Sequence, residues 1–187
     1  MTRYDAAMIL PKPIALFAAC FAMLAAGCTA PPPAAKSVAK TEADGTETKL
    51  YEQLRGGVFN IESALDAFTK ARDELKAVRP KLNANASAAA DDLIDMLNSA
   101  ASLAADDAAE PTLAAAKTNY AEEDERRLGL VAKLNDALKE LSDAPAVLQD
   151  IRDAAPAVNA EPVASALGEA EEALHEAITA LGGTVDE

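Results

Sequence analysis

The chain has 187 residues, of which 17 are basic and 31 acidic, and its formal net charge is −14. A surface of this sign repels phosphate backbones, which excludes nucleic acid as a partner. Its two cysteines, Cys20 and Cys28, are too few for a disulfide scaffold. Any folded domain must therefore be held together by its apolar core.

An apolar segment near the start predicts export. Ile14–Ala26 is an uncharged run of 13 residues, and Arg3 and Lys12 precede it. This run is shorter than the roughly 20 apolar residues that cross a bilayer. It matches the core of an export signal, which spans about 7–15 residues. We therefore predict a signal peptide over residues 1–27.

The end of this segment resembles a known processing site. Residues Leu24–Cys28 read LAAGC and resemble the bacterial lipobox, the site at which lipoproteins are cut and lipidated. The resemblance implies cleavage before Cys28, a diacylglycerol on its sulfur, and therefore the membrane as a partner. The leucine lies four residues before the cysteine, whereas lipoboxes prefer it three residues before. Ala25 and Gly27 also suit ordinary signal peptidase, after which Cys28 would be a free thiol able to form an intermolecular disulfide.

The segment that follows predicts a tether. Residues 28–46 are rich in proline, alanine and threonine, and Val38 is their one large apolar side chain. Such a composition buries too little surface to offset the entropy of ordering. The run Pro31–Pro33 favours extended polyproline II, so the tether could hold a domain on the order of 50 Å from a bilayer.

Residues 47–187 predict an all-α domain, beginning with a long amphipathic helix. Its apolar stripe recurs every seven residues at Leu54, Ile61, Phe68, Leu75 and Leu82. Gly57 lies on this stripe, which predicts the close approach of a neighbouring helix. The helix should end at Arg79-Pro80, because the residue before a proline is driven out of the helical region.

Two further helices are predicted in the middle of the domain. The second covers about Ser87–Asp106, with a stripe at Ala89, Leu93, Met96, Leu97, Ala100, Leu103 and Ala104. The third runs from about Pro111 to Leu141, with Leu113, Tyr120, Leu134 and Leu141 on one face. Arg127 falls on the same line as these four, and Glu123 is its expected ion partner.

The last segment predicts a short helix over about 145–154, a break, and a final helix over about 162–181. The final stripe is Leu167, Leu174, Ile178 and Leu181, and Gly182-Gly183 is a typical helix stop. Four main helices with short connections predict an antiparallel up-down four-helix bundle. A helical hairpin that dimerises is the alternative.

Two residues deserve consideration as cofactor ligands, His175 and Met96. The mature chain contains one histidine and one methionine, and Glu172 precedes His175 at the spacing found in di-iron bundles. Those bundles need a second such motif, and a Met and a His are insufficient to predict haem. Leu174 occupies the inward stripe, so we expect His175 to be a solvated flank residue. We predict no metal and no cofactor.

No nucleophile elbow, phosphate-binding glycine loop or calcium loop occurs in the chain. We therefore expect no enzymatic activity and a non-catalytic interaction or structural module of the cell envelope, anchored through Cys28 and binding an envelope protein. The alternative is a periplasmic carrier of a small ligand, metal or haem. Thr29 replaces the aspartate associated with inner-membrane retention, so the resemblance implies the outer membrane, facing the periplasm, if the host has two membranes.

Overall fold

The computed structural model describes residues 35–186, with side chains from residue 45 onward. This part of the chain is all-helical and contains no strand. None of its helices combines the length and apolar character that a membrane span requires. The helices are α1 (Ala35–Val78), α2 (Ala84–Ala104), α3 (Leu113–Thr118), α4 (Tyr120–Glu140), α5 (Ala144–Ala154) and α6 (Glu161–Ala180).

Helix α1 begins at Ala35, inside the segment predicted as tether. Half of residues 35–46 are alanine, lysine or glutamate, which are strong helix formers, and helix propagates readily from a packed turn. Residues before Ala35 lie outside the described part of the chain, and so does the predicted signal peptide. Helix α1 runs through residue 46, and the boundary placed there between tether and domain stays a prediction.

Four of the five residues of the predicted α1 stripe are buried, and α1 packs mainly against α6; the fifth, Leu82, lies beyond the end of α1 and is half-buried. Leu54, Ile61, Phe68 and Leu75 are all at most 2% exposed. The close approach predicted at Gly57 is confirmed, because a Cβ there would lie 2.5 Å from Leu181 Cδ2. Ordinary carbon contacts are about 3.5–4.0 Å, so a larger residue at position 57 would force the Leu181 side chain to move.

Proline and asparagine separate α1 from α2. Pro80 lies in a 3₁₀ turn over Arg79–Lys81, which confirms the predicted helix end. Helix α2 begins three residues earlier than predicted, because the Asn83 side chain accepts a hydrogen bond of 3.0 Å from the Ala86 N–H. Its buried face is Ala86, Ala90, Leu93, Leu97, Ala100 and Ala104. The predicted stripe residues Ala89, Met96 and Leu103 are half-buried.

The single third helix predicted over about 111–141 is wrong, because the backbone breaks at Asn119. Its φ and ψ of −128° and 41° are not helical, so α3 and α4 are separate. Leu113 and Tyr120 are 36% and 37% exposed rather than buried. The true stripe of α4 is Leu130, Leu134, Ala137 and Leu141.

The final segment contains two helices, α5 and α6, with bounds within one residue of those predicted. Helix α5 packs on α2, and the Asn83 Nδ2 donates a hydrogen bond of 2.6 Å to the Ala154 carbonyl. After α6, the Gly183 N–H donates to Ile178 O and the Gly182 N–H to Thr179 O. Gly182 has φ +74°, which makes this a Schellman stop and confirms the predicted ending.

Candidate functional site

The predicted lipidation residue, Cys28, lies outside the described residues. Its modification therefore stays a prediction, supported by the sequence. Side chains are described for residues 45–186, and the candidate sites within the domain lie in this range.

The two candidate cofactor ligands lie in different places. His175 and Glu172 are exposed on α6, while Leu174 beside them is fully buried, as the stripe predicted. Met96 is half-buried on α2 and packs against the core. Met96 lines a depression with α4 residues, whereas His175 lines two others, with Asn60 and with Asn135. Neither of the two depressions lined by His175 is also lined by Met96.

Acidic side chains are also dispersed. In the described part of the chain, no group of three or more histidine, cysteine or acidic residues is arranged to hold a metal ion. The carboxylate of Asp91 pairs with Arg79 at 2.7 Å across the α1–α2 turn. Asp106 accepts from Arg126 Nε at 3.2 Å and so ties the end of α2 to α4. Each of these two ion pairs connects one helical segment to another, so we assign them a role in stabilising the fold.

The ion partner expected for Arg127 is wrong. Arg127 Nε donates to Asp124 at 2.8 Å, and its Nη1 donates to the Leu181 carbonyl at 2.7 Å. Glu123 instead contacts Arg126, at 3.4 Å. The guanidinium of Arg127 therefore satisfies a carbonyl at the end of α6, where a positive charge also favours the helix dipole.

The strongest candidate site is a surface groove around Phe59. Phe59 is 67% exposed, the largest value among the exposed large apolar side chains of the described domain. The groove, called here the Phe59 groove, lies between α1 and the connection from α2 to α3. It has a volume of about 510 Å³, and its lining residues are Arg55, Gly56, Val58, Phe59, Glu62, Glu110 and Pro111.

Helix periodicity explains why Phe59 faces solvent. Leu54 and Ile61 point into the core, and at about 100° per residue Phe59 points well away from both. Arg55 and Glu62, four residues before and three residues after Phe59, lie on the same exposed face. Pro111, from the connection before α3, is buried beneath this face.

Opposite charges flank the exposed ring. The Arg55 guanidinium lies over the Tyr51 ring, 5.9 Å from its centroid. A hydrogen bond with Tyr51 raises the pKa of Arg55 above its ordinary value. Glu62 and Glu110 also line the groove and supply negative charge. Its lining includes no histidine, serine or cysteine.

Sequence reasoning missed this groove, although Phe59 is one of only four aromatic residues that follow Cys28 in the chain. The available signal was the position of Phe59 off the seven-residue stripe. No protein-family model matches the chain, and searches of curated proteins and of solved structures find no significant match. The functional argument therefore depends on the chain's own residues.

Proposed function

We propose that this protein is a lipid-anchored module of the cell envelope that binds a protein partner and catalyses no reaction. The lipobox-like stretch ending at Cys28 supports the anchor, with the outer membrane as its site if the host has two membranes. The observation that carries the binding role is the 67% exposure of Phe59 in a groove whose lining includes charged residues.

The Phe59 groove has the composition of a small interface core. Its lining combines an aromatic side chain, an arginine and two carboxylates. Aromatic and arginine side chains dominate the binding energy of protein interfaces, and polar rims surround them. Full burial of an exposed phenylalanine side chain contributes about 1.5–3 kcal/mol, which is enough to favour a specific contact.

The proposed architecture is an antiparallel up-down bundle of four helical runs: α1, α2, α3–α5 and α6. Support for an antiparallel pairing of α1 and α6 comes from two contacts, Gly57 with Leu181 and Lys70 with Glu169. The same reasoning applies to α1 and α2, where Arg72 contacts Asn98 and Arg79 contacts Asp91. In each pair, residue numbers rise along one helix and fall along the other.

A crosslinking experiment in intact cells tests the binding role. A photoreactive amino acid replaces Phe59 in the full-length chain, and a second variant carries it at Leu128, which is 55% exposed on α4. We expect a discrete protein adduct from position 59 and none from position 128, because only position 59 lies in the groove. Mass spectrometry then identifies the adduct. Equal adducts from both positions, or none from position 59, would contradict the proposal.

A further inference from the structure

We propose that residues 106–118 form a hinged cover on α1, and that the side chain of Arg126 sets how often this cover opens. The cover consists of the connection that follows α2 and the short helix α3. It supplies Glu110 and Pro111 to the Phe59 groove, so the groove is complete only while the cover is closed. The motion goes beyond the binding role proposed above and is measurable without a partner.

The cover is weakly packed. Within this segment only Pro111 and Ala116 are buried, and both side chains are small. Leu113, its largest apolar side chain, is 36% exposed. Helix α3 has six residues, which is too short for a helix to be stable in water without tertiary contacts. Segments with so few buried apolar contacts open at a lower free energy than the core helices around them.

Both ends of the cover have backbone that suits a hinge. Ala105, which ends α2, is extended, with φ −61° and ψ 135°. Asn119, which separates α3 from α4, has φ −128° and ψ 41°. Hinges absorb their change of backbone angle at a few residues of this kind, at the ends of elements. Helix α3 can therefore move while α2 and α4 keep their own helical hydrogen bonds.

Arg126 holds the first residue of the cover against α4. Its Nε donates to Asp106 at 3.2 Å, and its Nη1 donates to Glu123 at 3.4 Å. The side chains of Arg126, Asp106 and Glu123 are 16%, 11% and 18% exposed, so solvent ions screen their attraction only weakly. We call these three residues the Arg126 clasp. Because the cover buries so little apolar surface, the clasp supplies much of what keeps it closed.

Removal of the Arg126 charge should favour the open cover. In Arg126→Gln, two carboxylates remain in an enclosed place without the cation that they share, which is strongly unfavourable. Movement of Asp106 away from α4 relieves this repulsion and returns its carboxylate to water. Since Asp106 leads directly into the cover, the same movement loosens α3.

Hydrogen exchange of the full-length chain in detergent micelles, resolved to single amides by NMR, tests the cover. The reporters are Ala115, Ala116 and Asn119, whose N–H groups donate to Thr112 or Ala115. Leu134, fully buried in α4, reports on the core. The measurement is repeated at low urea concentrations, because the urea dependence of exchange scales with the surface that each opening exposes.

We expect the α3 amides to exchange faster than Leu134 and with little dependence on urea, since the cover opens without global unfolding. Arg126→Gln should accelerate their exchange about tenfold or more, because hydrogen bonds to charged groups are lost. Arg126→Lys keeps the charge and should give a smaller increase. Arg152→Gln, which breaks the exposed pair with Glu161 between α5 and α6, should leave the α3 amides unchanged. Unaltered chemical shifts at Leu134 show that each variant is folded.

Three results would overturn the proposal. Exchange of the α3 amides that depends on urea as steeply as that of Leu134 would show that the cover does not open separately. Unchanged α3 exchange in Arg126→Gln, or an equal acceleration in Arg152→Gln, would remove the role of the clasp. The outcome is independent of the proposed binding role, because no adduct from position 59 would contradict that role and leave the cover intact.

Discussion

The substitution Gly57→Ala tests the packing of α1 against α6. Two effects oppose each other at this position. Alanine is a better helix former than glycine by about 1 kcal/mol, which favours the variant. However, the added Cβ would lie 2.5 Å from Leu181 Cδ2, and Leu181 is fully buried. Overpacking of this kind costs about 1–3 kcal/mol, because a buried side chain has no free space into which to move.

Gly129→Ala is the matched control in α4. A Cβ at Gly129 meets no atom within 4 Å, so the propensity effect acts alone there. We expect Gly129→Ala to stabilise the domain by up to about 1 kcal/mol. Gly57→Ala should be destabilising by about 1 kcal/mol, the net of the two effects.

Urea denaturation followed by circular dichroism measures both variants in the same background. The predicted outcome is a shift of the two midpoints in opposite directions, with unchanged slopes. If Gly57→Ala stabilises the domain as much as Gly129→Ala does, α6 does not approach α1 at this crossing. The packing account of the α1 stripe would then be refuted.

Two further predictions concern the core and one ion pair. Leu134→Ala should lower the free energy of unfolding by about 2–5 kcal/mol in urea denaturation, because Leu134 is fully buried. His175→Ala, on the exposed face of α6, should lower it by well under 1 kcal/mol. Equal losses would show that His175 points inward. The hydrogen bond from Lys70 lowers the pKa of Glu169 below its ordinary 4.5, so the pair stabilises the fold above about pH 4.5 and this contribution disappears as pH falls through the folded pKa. In an NMR titration, Lys70→Ala should raise the pKa of Glu169 toward 4.5, and an unchanged pKa would contradict the pairing.

The apolar period was sufficient to predict most of the helices. In α1 and α6, large side chains repeat at helical spacing, so their buried stripes could be read directly from the sequence. The prediction of a single third helix failed because the seven-residue apolar pattern continues past Asn119 without interruption. Leu113 and Tyr120 continue the pattern but are exposed, since α3 and α4 are separate helices. A break of the backbone at one residue does not alter the spacing of the apolar residues, so this spacing does not reveal it.

The candidate site could be predicted only in part. The lipobox-like stretch at Cys28 is a contiguous motif and is visible in the sequence. The Phe59 groove joins α1 to Glu110 and Pro111, which are about 50 residues further along the chain, and only tertiary contacts bring them together. The partner of Arg127 was missed for the same reason, because the Leu181 carbonyl is supplied by another helix.

Labelling with palmitate tests the central claim most directly, since the proposed envelope role depends on lipidation of Cys28. Cells expressing the full-length chain or its Cys28→Ser variant are grown with labelled palmitate, and the protein is then isolated from the membrane fraction. The account predicts a labelled, membrane-bound wild type and an unlabelled variant. Equal labelling of the two chains, or an unlabelled wild type, would contradict it.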